Sequence, residues 1–238
     1  MTSYLPRVVD TELDELLAAL PAVALEGPKG VGKTETARRR ARTLYELDNP
    51  AQLAIAKADP TQVLSGEKPL LVDEWQHAPA VWDAIRRAVD RNGQANQYLL
   101  TGSASPTHAP THSGAGRIVT VRMRSLTLWE RGVGSGAVSL MELLSGGRPT
   151  IEGKTEVSLS DYVHEIVSSG LPGLRDLSGR ALRAQLEGYL RRVVDRDFED
   201  QGLTVRRPET LLRWMTAYAA ATATTASLET IRDAATSG

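Results

Sequence analysis

Residues Gly27-Pro28-Lys29-Gly30-Val31-Gly32-Lys33-Thr34 spell G-x-x-x-x-G-K-T, the pattern of a loop that cradles phosphates. Gly27, Gly30 and Gly32 let the backbone turn tightly enough to aim its N–H groups at a triphosphate, helped by the positive end of the helix that follows. Lys33 is expected to reach the β- and γ-phosphates, and the Thr34 hydroxyl to hold Mg²⁺. Pro28, Lys29, Val31 and Glu35 complete the expected nucleotide-contacting stretch. A full G-x-x-x-x-G-K-T between a strand and a helix seldom arises as bare turn chemistry.

Downstream, Leu70-Leu71-Val72-Asp73-Glu74 is an apolar run ending in two acids. Buried in a sheet, such a run delivers carboxylates beside a phosphate site: Asp73 to hold Mg²⁺ through its water shell, and Glu74 as the general base for the water that attacks the γ-phosphate. Leu99-Leu100-Thr101-Gly102-Ser103 offers a polar strand tip between these two motifs, where Thr101 or Ser103 could orient that water. An ordinary strand-ending Thr-Gly turn accounts for either residue singly, but the order of the motifs along the chain favours a sensing role. Arg117 is a candidate for positive charge supplied to the γ-phosphate in trans, set against an ordinary surface arginine. His77, His108 and His112 lack metal-ligand spacing and read as polar loop residues. Trp75 reads as a packing residue over the next helix. Arg38, Arg39, Arg40 and Arg42 read as a solvated helix face before a nucleic-acid patch.

These side chains need elements to place them. Ala22 to Leu25 reads as a buried strand leading into the loop, and Thr34 to Leu47 as the helix leaving it. Leu13, Leu16, Leu17 and Leu20 recur at helical spacing after Thr11, a possible N-cap. Leu53 to Lys57 is a weak second strand, residues 69–74 a third, residues 97–101 a fourth and residues 117–122 a fifth, with a helix from about Pro79 to Arg91. This alternation predicts an α/β fold with a parallel sheet between helices. After it come a Gly/Ser-rich stretch with a short helix at 138–144, then helical patterns over 160–168, 180–198, 208–220 and 227–235. The domain organisation expected is a nucleotide-binding core over 1–157, a helical lid over 158–205 and a partial helix-turn-helix over 206–238.

Composition sets outer bounds. The chain has 238 residues, 41% hydrophobic and 24% charged, with net charge -1 and no cysteine. That suits a globular core, gives no global field toward nucleic acid or anionic membrane, and excludes disulfide frameworks, thiolate zinc sites and cysteine nucleophiles. No apolar run approaches the about 20 residues of a membrane span, and the first residues lack a signal peptide's apolar core. The expected compartment is the cytoplasm.

Taken together, the loop at 27–34, Leu71-Val72-Asp73-Glu74-Trp75-Gln76, Leu100-Thr101-Gly102-Ser103 and Gly116-Arg117-Ile118 resemble a prokaryotic family of AAA+ ATPases with a C-terminal domain of uncharacterised function. Met123-Arg124-Ser125-Leu126-Thr127-Leu128-Trp129-Glu130 is similar to the family's M-x-P-L-S-x-x-E stretch, with Ser125 where proline is usual. Ser169-Gly170-Leu171-Pro172-Gly173 is similar to its G-G-x-P turn, with serine for the first glycine. The resemblance implies a P-loop sheet in the order 5-1-4-3-2, a small helical lid, and a winged-helix-like segment inside which the chain ends. It also implies ATP rather than GTP, in keeping with the lack of an N/T-K-x-D guanine-reading motif.

The first functional expectation is an Mg-ATP hydrolase whose cycle moves or switches the helical part. The alternatives are a nucleotide-gated regulatory module that binds DNA or protein and hydrolyses slowly, and a P-loop small-molecule kinase, which fits the Asp73-Glu74 pair less well. In the regulatory reading Arg206, Arg207 and Arg213 of the C-terminal helices would meet DNA phosphates. A homo-oligomer is a further expected partner state, and a membrane is not.

Overall fold

Short apolar runs separated by helices can bury both faces only as a parallel sheet with helices on each side. The computed structural model has this arrangement; it describes residues 4–102, 114–134, 138–152, 154–198 and 203–236. The strands are β1 (Ala22–Glu26), β2 (Thr43–Glu46), β3 (Leu70–Asp73), β4 (Tyr98–Gly102) and β5 (Val119–Arg122). Every pairing is parallel and the order is β2-β3-β4-β1-β5, the expected 5-1-4-3-2 read from the other edge. The helices of this part are α1 (Val8–Ala19), α2 (Lys33–Arg38), α3 (Pro50–Ala58) and α4 (Ala80–Arg91).

Alternation along the strands assigns each side chain to one of two cores. Ala22, Ala24, Leu70, Val72 and Leu100 meet Ala56 of α3 and Val81, Trp82 and Ile85 of α4. Val23, Leu25, Leu71 and Leu99 face the other way, onto Leu13 and Leu17 of α1 and Ala37 of α2. Trp75 is buried against Trp82, with ring centroids 4.6 Å apart, and so packs over the helix that follows it.

Around β2 the elements differ from those expected. The helix after the loop ends at Arg38, not Leu47, and the second strand is Thr43–Glu46. Leu53 to Lys57, expected as a strand, lies inside α3. Thr43-Leu44-Tyr45 has the β-branched and aromatic character that favours strands. Asn49 is the missed start signal: its side chain caps α3 by accepting from the Ala51 N–H at 3.0 Å, and Pro50 occupies the first helical turn. Likewise α1 begins at Val8 rather than after Thr11, with Asp10 accepting the Arg7 backbone N–H at 2.7 Å. Arginines 38 to 40 behave as a solvated face: Arg38 pairs with Glu46, Arg40 with Asp10 and Asp14, and Arg39 lies over the Tyr4 ring.

The residues divide into two compact units, Met1–Leu177 and Ser178–Gly238. Beyond β5 the first unit carries α5 (Leu140–Leu144) and α6 (Leu159–Val167). In α6 the apolar residues Leu159, Val163, Ile166 and Val167 are exposed, while Glu165 is buried and paired with Arg131 and Arg175. The second unit contains α7 (Gly179–Arg192), a π-helical turn over Val193–Asp197, α8 (Pro208–Ala220) and α9 (Leu228–Thr236). Ile231 and Ala235 of α9 are buried, and Leu211, Trp214, Arg206, Arg207 and Arg232 are among the residues that line an apolar groove of ≈ 370 Å³. Among the described residues no helix is long and apolar enough to cross a membrane.

Ser169 is one place where sequence and backbone disagree. It sits at φ 66, in the left-handed region, at the position where the G-G-x-P pattern has glycine. A side chain there costs about 1–2 kcal/mol, offset in part by the Leu171 N–H donating to the Ser169 hydroxyl at 3.3 Å. Ser169→Gly is therefore expected to stabilise the protein by about 0.5–1 kcal/mol, a rise in Tm of about 1–4 °C in a thermal melt. An unchanged or lower Tm would mean that the serine hydroxyl, and not the backbone, governs this turn.

Candidate nucleotide-binding site

In open parallel sheets the ligand crevice lies beyond the carboxyl ends of the strands, where strand order reverses. Here the order reverses at β1, whose neighbours are β4 and β5. The cross-strand register aligns Leu25 with Thr101 and Thr101 with Asp73. The loop at 27–34 leaves the end of β1, so all three motifs converge on one rim of the sheet.

The loop's shape is dictated by what lies beneath it. A Cβ on Gly27 would collide with the Met123 carbonyl oxygen, because the chain leaving β5 passes directly under the loop and anchors there by the Met123 N–H donating to the Glu26 carbonyl at 2.7 Å. Gly32 caps α2 at φ 98, a conformation that glycine adopts without strain. Lys33 is 5% exposed, and its ammonium donates to the Gly27 and Pro28 carbonyls, each at 2.9 Å. Burial lowers the Lys33 pKa, while the charges of Glu74 and Asp73 act to raise it. Glu35 is exposed on the first turn of α2, and Lys29 and Gly30 are exposed on the loop itself.

The loop and the β3 acids meet directly. The Thr34 hydroxyl donates to Asp73, with oxygen separations of 2.9 and 3.1 Å. Asp73 also accepts from the hydroxyl of Thr101, which is fully buried at the end of β4. Thr101 thus turns toward the carboxylate. Ser103, the other candidate at this strand tip, lies outside the described residues, as do His108 and His112. Glu74 ends the strand in the left-handed region, φ 54 and ψ 44, and its carboxylate accepts from the Gln76 amide. Arg117 donates from its Nε to Asp90 at 2.8 Å, so in this state it pairs within its own chain, away from the loop.

Two participants escaped the sequence reading. Gln76 enters the sequence analysis only through the resemblance; it lies two residues past Glu74 and meets that carboxylate where the chain turns out of the strand. Arg7 carries no signal in the sequence, since an arginine before a helix is unremarkable in a chain rich in arginine. Its guanidinium reaches the Val31 carbonyl of the loop at 2.6 Å.

The oxygen set fits a magnesium ion brought with phosphate. Among the described residues no group of three or more His, Cys, Asp or Glu could hold a metal unaided. Mg²⁺ keeps several waters and takes one or two protein oxygens plus phosphate oxygens, and the paired Thr34 hydroxyl and Asp73 carboxylate are such oxygens.

Residues 20–131 match a family model described as an AAA domain. An uncharacterised protein of Mycobacterium tuberculosis and one of Mycobacterium bovis are each 30% identical to this chain over 218 residues, 87% of this chain and 44% of theirs. The chain therefore spans less than half the length of these curated relatives. Among solved structures, AMPPCP-bound DnaA from Aquifex aeolicus is 16% identical with a TM-score of 0.39, covering 96% of this chain and 81% of that one. A RuvB variant from Thermotoga maritima is 20% identical with a TM-score of 0.35, covering 51% and 46%. Overlaps this loose transfer no residue roles.

Proposed function

We propose, on the match of residues 20–131 to an AAA domain, that this chain is a prokaryotic AAA+ ATPase that binds Mg-ATP in the Gly27–Thr34 cradle and hydrolyses it to switch its conformation. The observation that carries this reading is the hydrogen bond from Thr34 to Asp73, which joins the phosphate loop to the acidic strand end at one point. Lys33 exchanges its two loop carbonyls for β- and γ-phosphate oxygens. Thr34 and Asp73 would hold Mg²⁺, which when bound would neutralise the charge that develops on the phosphate oxygens. Thr101 fixes the Asp73 carboxylate by donating to it. Glu74, off the strand path in its left-handed turn, takes the proton from the attacking water. Gly27 to Glu35 supply the backbone cradle, and ATP rather than GTP follows from the family.

Arg117 serves as a trans-acting arginine only if a second copy draws it from Asp90; turnover per molecule would then rise with protein concentration. Phosphate release from ATP tests the central reading. Turnover is expected with Mg²⁺, to be lost with EDTA and to regain its full value when Mg²⁺ is restored, with phosphate going to water and not to an added small-molecule acceptor. Stimulation by duplex DNA would turn the assignment toward the DNA-binding regulatory alternative. Failure to bind ATP at millimolar concentration with Mg²⁺ would end the proposal.

A further inference from the structure

Phosphate loops bind anions by turning successive N–H groups inward. Because each trans peptide is planar, with its C=O opposed to the next N–H, a peptide that turns its N–H inward turns its carbonyl outward. Those carbonyls need donors of their own where they are buried. The Val31–Gly32 peptide is the last but one before Lys33, and its carbonyl is served by Arg7.

Arg7, immediately before α1, is only 6% exposed. Its planar guanidinium spreads over three acceptors: Nη1 donates to the Val31 carbonyl at 2.6 Å, Nη2 to the Arg124 carbonyl at 2.8 Å, and Nε to Glu130 Oε1 at 2.9 Å. The Arg7 and Glu130 side chains are 4% and 3% exposed, so the charge of each is neutralised by the other rather than by water. Glu130 in turn accepts from the Val8 and Thr127 backbone N–H groups at 2.7 and 2.6 Å. Burial pushes the Glu130 carboxyl up, but these backbone bonds and the one from Arg7 outweigh it and hold the group below the ordinary range. One side chain therefore ties together the start of α1, the phosphate loop and the chain beyond β5.

We infer that Arg7 is a positioning residue of the phosphate loop: by gripping the Val31 carbonyl it fixes the plane of the Val31–Gly32 peptide and so aims the Gly32 N–H at the triphosphate. The inference rests on the ATP-binding reading for its consequence, but not for its mechanics. Lysine cannot replace the fork, since a single ammonium does not span acceptors lying in separate directions.

The test uses the whole chain with Arg7→Lys and Arg7→Gln, the lysine variant keeping a charge opposite Glu130. In the nucleotide-free protein, amide hydrogen exchange over residues 27–34 is expected to quicken about tenfold, the equivalent of one charge-assisted hydrogen bond, while the β3 and β4 amides keep their protection. With ATP added, the dissociation constant is expected to rise by about the same factor, and KM to rise more than kcat falls. A merely structural role would loosen β3 and β4 as well and leave no bias toward KM. Unchanged exchange over 27–34 in both variants overturns the inference, and so does unchanged affinity in a wild type that binds ATP. A wild type that binds no ATP overturns the functional proposal instead, and the exchange comparison still decides what Arg7 does.

Discussion

Lys33→Ala is expected to raise the dissociation constant for ATP by about a hundredfold and to remove measurable turnover. Without nucleotide, the ammonium is held by the Gly27 and Pro28 carbonyls in a site that is 5% exposed. Two charge-assisted hydrogen bonds to phosphate, each worth about 1.5–3 kcal/mol, would be lost with the side chain. Water entering the vacated space restores part of this, leaving about 3 kcal/mol, or about a hundredfold. The nucleotide-free protein should hardly notice. The variant strands two loop carbonyls but also relieves the burial of a charge, and these effects oppose one another. A fluorescent ATP analogue titrated into both proteins, with parallel melts in its absence, separates the cases. A large drop in Tm would assign Lys33 to stability, and an unchanged affinity would remove it from the site.

The pH dependence of that site follows from the same burial. Desolvation lowers the Lys33 pKa in the folded chain, so the unfolded chain binds more protons there once pH passes the lowered value. Stability of the nucleotide-free fold therefore gains from this group as pH rises through the window between the lowered and the ordinary lysine pKa. ATP binding runs the other way, because the phosphates require the charged form. Affinity should thus begin to fall at a pH below that at which an exposed lysine titrates.

How much of this was legible in the sequence depends on whether a feature is local. The loop and the acidic strand end could be read because each is a short pattern with a fixed structural setting, whereas the sheet order came only with the family resemblance. The β2 region was harder, because helix-forming arginine and alanine run up to Arg42 and mask the weaker strand character of Thr43 to Tyr45, which is realised by pairing of Thr43 to Glu46 with Leu70 to Asp73. Arg7 and Glu130 illustrate a second limit. Their pairing joins positions far apart in the chain: Glu130 closes the Met123–Glu130 stretch, but nothing in that stretch points to Arg7 as its partner. Thr101 falls between these extremes, since its place at the strand tip was legible but the direction of its hydroxyl, toward Asp73, was not.

Glu74→Gln is expected to lower kcat for ATP hydrolysis by about 10²–10⁴, the range for loss of a general base, while leaving ATP affinity within about threefold. The reason lies in the backbone. Successive side chains of a strand point to opposite faces, so two adjacent acids cannot both serve one site while the strand continues. Asp73 is the last residue of β3 and is held by Thr34 and Thr101. At Glu74 the chain leaves the strand in a left-handed turn, which costs a non-glycine residue about 1–2 kcal/mol and frees its side chain from the strand's alternation. Strain of this kind persists where the surroundings enforce it, and here the Gln76 amide holds the carboxylate in place. Glutamine preserves the shape, and its carbonyl oxygen can still accept from Gln76, so what the substitution removes is the capacity to take a proton. Single-turnover phosphate release, measured beside ATP titrations, reads the two effects separately. Should the variant hydrolyse ATP within about tenfold of the wild type, the base must be sought elsewhere. Asp73 would be a poor replacement, since its oxygens already serve the two threonine hydroxyls and would be the ones that face the magnesium ion.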